Sequence, residues 1–275
     1  MTGVAASRRL TTNALPVFRR WLGDGWRGLL GWCVGVAAAV LLYVPLFPSM
    51  NSPELAGLLD SLPPELIRTL GYADIASGAG YVQATFFGLI GFVLITIAGI
   101  GWGAASIGGA EESGALELTL AHGVGRVQYA VQSAGALLVR MLVLGAVAWV
   151  VIWAMNEPAE LGLDAANLLG VTAAWVGVGL FSATAALAAG AVAGRRLWGI
   201  GVGAGVAVVG YVLQAVANNS EDLDVLRVIS PFDWAFGEAP LAQGADWPGL
   251  ALLWGGSAIL IAVATAALAR RDVLG

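Results

Sequence analysis

Apolar residues fall into six long blocks, at about 29–47, 82–107, 135–155, 168–193, 199–217 and 250–268, separated by short polar connections. A bilayer core about 30 Å thick is crossed by roughly 20 apolar residues in helix. Each block is therefore long enough to span. Glycines within them recur at a spacing of four, as Gly31/Gly35, Gly99/Gly103, Gly190/Gly194, Gly199/Gly203 and Gly201/Gly205. Small residues so placed let helix backbones approach closely in lipid. The pattern predicts an all-α integral membrane fold. It has six transmembrane helices with short amphipathic interfacial helices between them.

Between the blocks, periodicity predicts smaller elements. Residues 15–29 read as an amphipathic helix, with Phe18, Trp21, Leu22 and Leu29 toward lipid and Arg19, Arg20, Asp24 and Arg27 toward water. Ser52-Pro53-Glu54 starts a helix well, and Leu55, Leu58, Leu59 and Leu62 continue it up to Pro63-Pro64. Ser220-Glu221-Asp222-Leu223 starts another, which Ser230-Pro231-Phe232 ends. The connection 108–128 reads as a short amphipathic helix. Glu111 and Glu112 lie at its start, where a helix dipole favours anions. Leu116 and Leu120 share a face, and Gly123 is the C-terminal stop.

Composition agrees with lipid as solvent. Hydrophobic residues make up 59% of the 275-residue chain, charged residues 11%, and mean hydropathy is +0.82. Soluble domains carry about 25% charged residues. A soluble enzyme, a disordered chain and a free nucleic-acid binder are poor readings on this ground. The single Cys33 and single His122 exclude an internal disulfide and a multi-histidine or cysteine metal site. All 13 basic residues are Arg, as in a high-GC bacterial genome.

Charge then orients the spans. Eleven Arg and five acids lie in the N-terminus, the connections 108–128 and 194–198, the C-terminus and the adjoining Arg140. The loops 48–81, 156–167 and 218–249 hold two Arg and thirteen acids. The positive-inside rule places the first set in the cytoplasm. This reading gives a cytoplasmic segment 1–28, a six-span domain 29–269 and a cytoplasmic tail 270–275 in a bacterial plasma membrane. The first 28 residues are too polar for a cleaved signal, so 29–47 reads as a signal anchor.

Arg140 is the one charge well inside an apolar block. It enters by about 9 Å, close enough to snorkel to the interface or form a structural pair, in which case Lys would serve equally. A role in a transport pathway is the alternative. Glu111 and Glu112 lack a Ser, His or Arg constellation for acid–base catalysis. His122 lacks partners at metal-ligand spacing.

The connection Glu111, Glu112, Gly114, Leu116, Glu117, Leu118, Leu120, Val124 and Arg126 resembles the loop after the second span of type-2 ABC transporter permeases, the ABC-2 exporter family. Gly123 and Gly125 stand where Pro and Ser are usual. Leu62-Pro63-Pro64-Glu65, Ile229-Ser230-Pro231-Phe232 and Arg270-Arg271-Asp272 are also similar, so the resemblance runs along the whole chain. It implies a permease that pairs with a second permease subunit, a copy or a relative, and moves a hydrophobic or amphipathic substrate out of the cytoplasm or inner leaflet. It further implies that Glu111, Glu112, Gly114, Leu116, Glu117, Leu120 and Arg126 dock on a cytosolic ATP-binding subunit, the acids pairing with that partner's cations. ATP and Mg would reside there, since this chain has no G-x-x-x-x-G-K-[ST] loop and needs no cofactor of its own. Two other classes remain: a proton- or ion-coupled carrier or channel, and an integral-membrane enzyme acting on lipid.

Overall fold

A computed structural model describes residues 15–50, 77–219 and 221–271. The described residues form helices and no strand. In chain order these are α1 (Pro16–Asp24), α2 (Trp26–Tyr43, followed by the short turns Val44–Leu46 and Phe47–Met50), α3 (Gly78–Glu112), α4 (Ala115–Ala121), α5 (Arg126–Met155), α6 (Ala165–Ala193), α7 (Arg196–Ala217), the 3-10 segment Glu221–Ile229, α8 (Pro231–Phe236), α9 (Pro240–Gln243) and α10 (Trp247–Arg270). Helices α2, α3, α5, α6, α7 and α10 are each long and apolar enough to cross a membrane. The chain is a multi-pass membrane protein with the all-α fold expected. The segment 52–71, expected to hold a loop helix, lies outside the described residues.

Helix α6 is the centre. It packs against α3, α5, α7 and α10, and most of its residues are buried. Its apolar residues run all round the helix, which suits a helix enclosed on every side. Lipid is as apolar as a side chain, so such packing depends on close van der Waals fit rather than on expulsion of water. Small residues supply that fit along a seam of α3, α6 and α7. A methyl on Gly103 would collide with the Ala183 carbonyl. One on Gly199 would lie 2.7 Å from the Ala186 oxygen and 2.9 Å from the Ala104 methyl. Gly203 meets Ala186 and the Ser182 carbonyl equally closely.

The other glycine pairs divide. Gly190 faces the Gly108 backbone, whereas Gly31/Gly35 and Gly201/Gly205 face open space. Overpacking a tight site costs about 1–3 kcal/mol. Gly103→Ala and Gly199→Ala should therefore lower the thermal midpoint of the detergent-purified protein. Gly31→Ala and Gly201→Ala should leave it unchanged or raise it, since Ala is the better helix former. Equal midpoints for all four would remove the seam as a source of stability.

Polar contacts define the two ends of the bundle. At the acid-rich end the Tyr81 hydroxyl donates to the Tyr43 carbonyl at 2.9 Å. The Gln83 amide donates to the Phe236 carbonyl (3.3 Å) and accepts from Leu241 N–H (3.0 Å), tying α8 and α9 to α3. Asp164 caps α6 by accepting from Ala166 and Asn167 N–H, at 2.8 and 3.0 Å. The segment Glu221–Ile229 is a 3-10 helix, more tightly wound than the α-helix expected there. Ser230 ends it and also begins α8: its hydroxyl donates to the Gly210 carbonyl (2.7 Å) and accepts from Asp233 N–H (3.1 Å).

Asp233 titrates in this setting. Burial pushes its carboxyl above the ordinary carboxylate range, Glu238 adds to that, and Arg227 and Gln214 oppose it. A raised folded-state pKa means that the folded protein binds the proton more tightly. Its contribution is present at acid pH and is lost as pH rises through the raised value. The thermal midpoint of the unmodified chain should fall on going from acid to neutral pH more than that of Asp233→Asn. Parallel pH curves for the two proteins would refute the assignment.

Two boundaries differ from expectation for physical reasons. The amphipathic stretch 15–29 is broken at Gly25, so Trp26 already opens α2. Helix α5 begins at Arg126, well before residue 135, because Gln132 and Ser133 are buried against protein instead of marking a solvated loop. Helix α3 also contains two wide π-type stretches, Gln83–Ile90 and Ala105–Gly109, on either side of its regular middle.

Candidate functional site

At the arginine-rich end, α3 runs on through Glu112 and breaks at Ser113 and Gly114. Gly114 takes a left-handed conformation (φ 70°), which a side chain would strain. Glu111 and Glu112 thus lie at a helix C-terminus, not at the N-terminus expected from their position before Leu116. Carboxylates there oppose the helix dipole, and each is compensated. Glu111 Oε1 accepts from the Arg271 guanidinium. Glu112 Oε1 accepts from Arg196 N–H at 3.1 Å, at the N-terminus of α7.

The expected short helix follows as α4, with Glu117 in its first turn and Gly123 (φ 86°) just past its end. Its faces are not used as Leu116 and Leu120 suggested. Leu116 is 0% exposed, packed in a cluster with Val17, Ile107, Tyr129 and Leu268. Leu120 packs against the same cluster. The apolar side chain left outside is Leu118, 59% exposed. His122 is exposed beside it, its Nδ1 2.6 Å from the Leu118 carbonyl oxygen. Arg126 turns inward and donates to the Arg271 carbonyl at 2.7 Å.

Helix α1 forms the facing wall. Its apolar side is turned onto α5, not onto lipid: Val17 is buried and Trp21 packs in the Leu116 cluster. Gln132 Oε1 accepts from Val17 and Phe18 N–H at 2.9 and 3.2 Å, satisfying the start of α1. Arg140 satisfies its end, donating to the Trp21 carbonyl. The two residues are eight apart on α5, about 12 Å along the axis, which matches the length of α1.

Arg140 does not snorkel. It is 4% exposed, and its guanidinium carbon lies 5.7 Å from the Trp21 ring and 5.3 Å from the Trp102 ring. The aromatic faces and the helix-end carbonyl replace water around the charge. Gly25 makes room for it, since a methyl there would overlap the guanidinium.

Between α1 and α4 lies a groove of about 890 Å³. Trp21, Arg20, Leu118, Thr119, His122 and Arg196 are among its lining. The site thus presents Leu118 and the His122 imidazole at α4, the Arg20 guanidinium on α1 and the Arg196 guanidinium at the start of α7. That arrangement can accept a protein segment but has no nucleophile–base pair.

Of the residues singled out from sequence, the structure gathers Glu111, Glu112 and Arg126 around helix ends and buries Leu116. It leaves Gly114, Glu117 and Leu120 within α4 or its cap and places Arg140 behind α1. Leu118, Gln132, Gly194 and Arg271 were not singled out as site residues. Arg271 could have been found from its place beside Arg270 at the foot of the last span, but Gln132 carries no local signal. Comparison with protein-family models, with curated proteins and with solved structures finds no match to this chain.

Proposed function

We propose that this chain is the membrane-spanning permease subunit of an ATP-driven exporter, with the arginine-rich end in the cytoplasm. The observation that carries the reading is α4. A short helix between two spans is packed through Leu116 into the cluster with Val17, Ile107, Tyr129 and Leu268 on one side and exposes Leu118 and His122 beside an open groove on the other. Such an element suits transfer of force from a docked partner. The motor is a separate ATP-binding subunit carrying the nucleotide and Mg, since the chain contains no lysine and hence no phosphate-binding G-x-x-x-x-G-K-[ST] loop. The substrate is hydrophobic or amphipathic, in keeping with spans built from Gly, Ala, Val, Leu and Trp. Pairing with a second permease subunit rests on the resemblance noted from sequence. A proton- or ion-coupled carrier is disfavoured because Arg140, the charge it would use, is committed to α1.

The test uses a photo-crosslinking amino acid at Leu118, with a second at Leu252 on the exposed face of α10 as control. Position 118 should capture a protein that contains a G-x-x-x-x-G-K-[ST] loop, and position 252 should not. The purified pair should hydrolyse ATP in liposomes. In a Cys33→Ser background, Glu157→Cys and Val225→Cys should label from outside cells, and His122→Cys only after permeabilisation. Labelling of His122→Cys from outside, or no ATPase at position 118, would reject the reading.

A further inference from the structure

Arg271 sits where five spans end. Its Nη1 donates to the Ala191 carbonyl of α6 at 2.7 Å, with Val192 O at 3.4 Å. Its Nη2 donates to Glu111 at the end of α3. Its own carbonyl accepts from Arg126 at the start of α5. It directly follows α10, and Glu112, next to Glu111, holds the first N–H of α7. The pair is largely withdrawn from solvent, with the Glu111 side chain 12% and the Arg271 side chain 28% exposed.

Gly194 makes the arrangement possible. It ends α6 in a left-handed conformation (φ 68°), and a methyl there would run into the Arg271 guanidinium and lie 2.7 Å from Glu111 Oε1. A planar guanidinium donates along separate directions at once. It therefore ties a carboxylate on one helix to main-chain carbonyls on another, which an ammonium does less well. Three features converge on one joint: a paired acid, a bridging Arg and a glycine that leaves space for both.

We infer that Glu111, Arg271 and Gly194 form the joint through which a displacement of α4 reaches the ends of α3, α5, α6, α7 and α10 together. The joint lies immediately before α4, separated from it by the Ser113-Gly114 break, whose N–H groups donate back to the Gly109 and Glu111 carbonyls at 3.2 and 3.0 Å. It faces the chain's own helices rather than the groove. Its residues are positioning residues: they transmit movement without contacting the motor. This rests on the exporter reading, and the experiment is arranged so that the two fail separately.

Spin labels at Glu157→Cys and Val225→Cys, in Cys33→Ser, report the separation of two loops at the acid-rich end. The protein is purified with its ATP-binding subunit, and distances are measured without nucleotide and with ATP and vanadate. The unmodified joint should give a nucleotide-dependent change in distance. Glu111→Gln should abolish that change while the ATPase co-purifies in unaltered ratio and still hydrolyses ATP. Arg271→Lys should give an intermediate response, and Gly194→Ala should resemble Glu111→Gln. Thermal midpoints measured alongside, with Gly103→Ala as a matched destabilised protein that keeps the joint, separate transmission from loss of fold. Gly103→Ala should still respond to nucleotide. A full response in Glu111→Gln overturns the joint, as does loss of the ATPase from that variant, which would make Glu111 a docking residue. Failure of the unmodified chain to co-purify with any ATPase rejects the exporter reading itself.

Discussion

Arg140→Lys should detach α1. The guanidinium is held between two indole rings and caps the last turn of α1, and Lys reproduces neither the stacking nor the planar reach. Each desolvated cation–π contact is worth up to about 2 kcal/mol, and a hydrogen bond from a charged donor about 1.5–3 kcal/mol. An ammonium in the same place keeps part of this and is more strongly hydrated in the competing open state. The net loss should be about 2–4 kcal/mol, enough to lower the thermal midpoint by roughly 5–10 °C. Hydrogen exchange should locate the effect, with residues 16–24 losing protection while α6 keeps it. Arg140→Gln should be at least as damaging. An Arg140→Lys protein with the unmodified midpoint and a protected α1 would return this residue to the role of a snorkelling charge.

Leu116→Asp and Leu118→Asp should fail in different ways, although the residues are two apart on one helix. Leu116 is enclosed by Val17, Ile107, Tyr129 and Leu268, so a carboxylate there has no partner and no water. Burying such a charge costs several kcal/mol, and the cluster that joins α1, α4 and α5 should come apart. The expected result is low yield, a depressed midpoint and exposure of Trp21 to aqueous quenchers. Leu118→Asp meets solvent and should leave yield and midpoint unchanged. Under the proposed exporter function its effect should fall on docking, with co-purification of the ATP-binding subunit reduced at least tenfold. Burying a leucine against a partner contributes about 1.5–3 kcal/mol, and a carboxylate in its place would have to be desolvated instead. If Leu118→Asp retained its ATPase while Leu116→Asp folded normally and lost it, the buried and docking faces of α4 would have been interchanged.

The spans were legible because the bilayer imposes one requirement, about 20 apolar residues in sequence, and nothing else in the chain imitates it. The stop at Gly123 was legible because left-handed caps select glycine locally. The direction of Glu111 and Glu112 was not. Two acids before a leucine face look like a helix start, and only Arg271 and Arg196, far along the chain, reveal them as a helix end. Arg140 was misread for a related reason. Its depth could be counted in residues, but its partner Trp21 lies 119 positions away. Gly99/Gly103 and Gly31/Gly35 are identical as spacings. What separates them is whether another helix stands opposite, a property of the assembled bundle.

The seam of α3, α6 and α7 has a consequence for how such a chain diverges. Positions such as Gly103 and Gly199 are constrained by volume, not by chemistry, since what they contribute is the absence of a side chain. Exposed apolar positions on other helices, such as Val34 and Leu42 on α2 and Ile259 on α10, need only remain apolar. Drift can therefore exchange Leu, Val, Ile and Ala freely over most of the surface while a few small residues stay fixed by collision alone. A descendant could keep every helix crossing and share few identical letters with its ancestor.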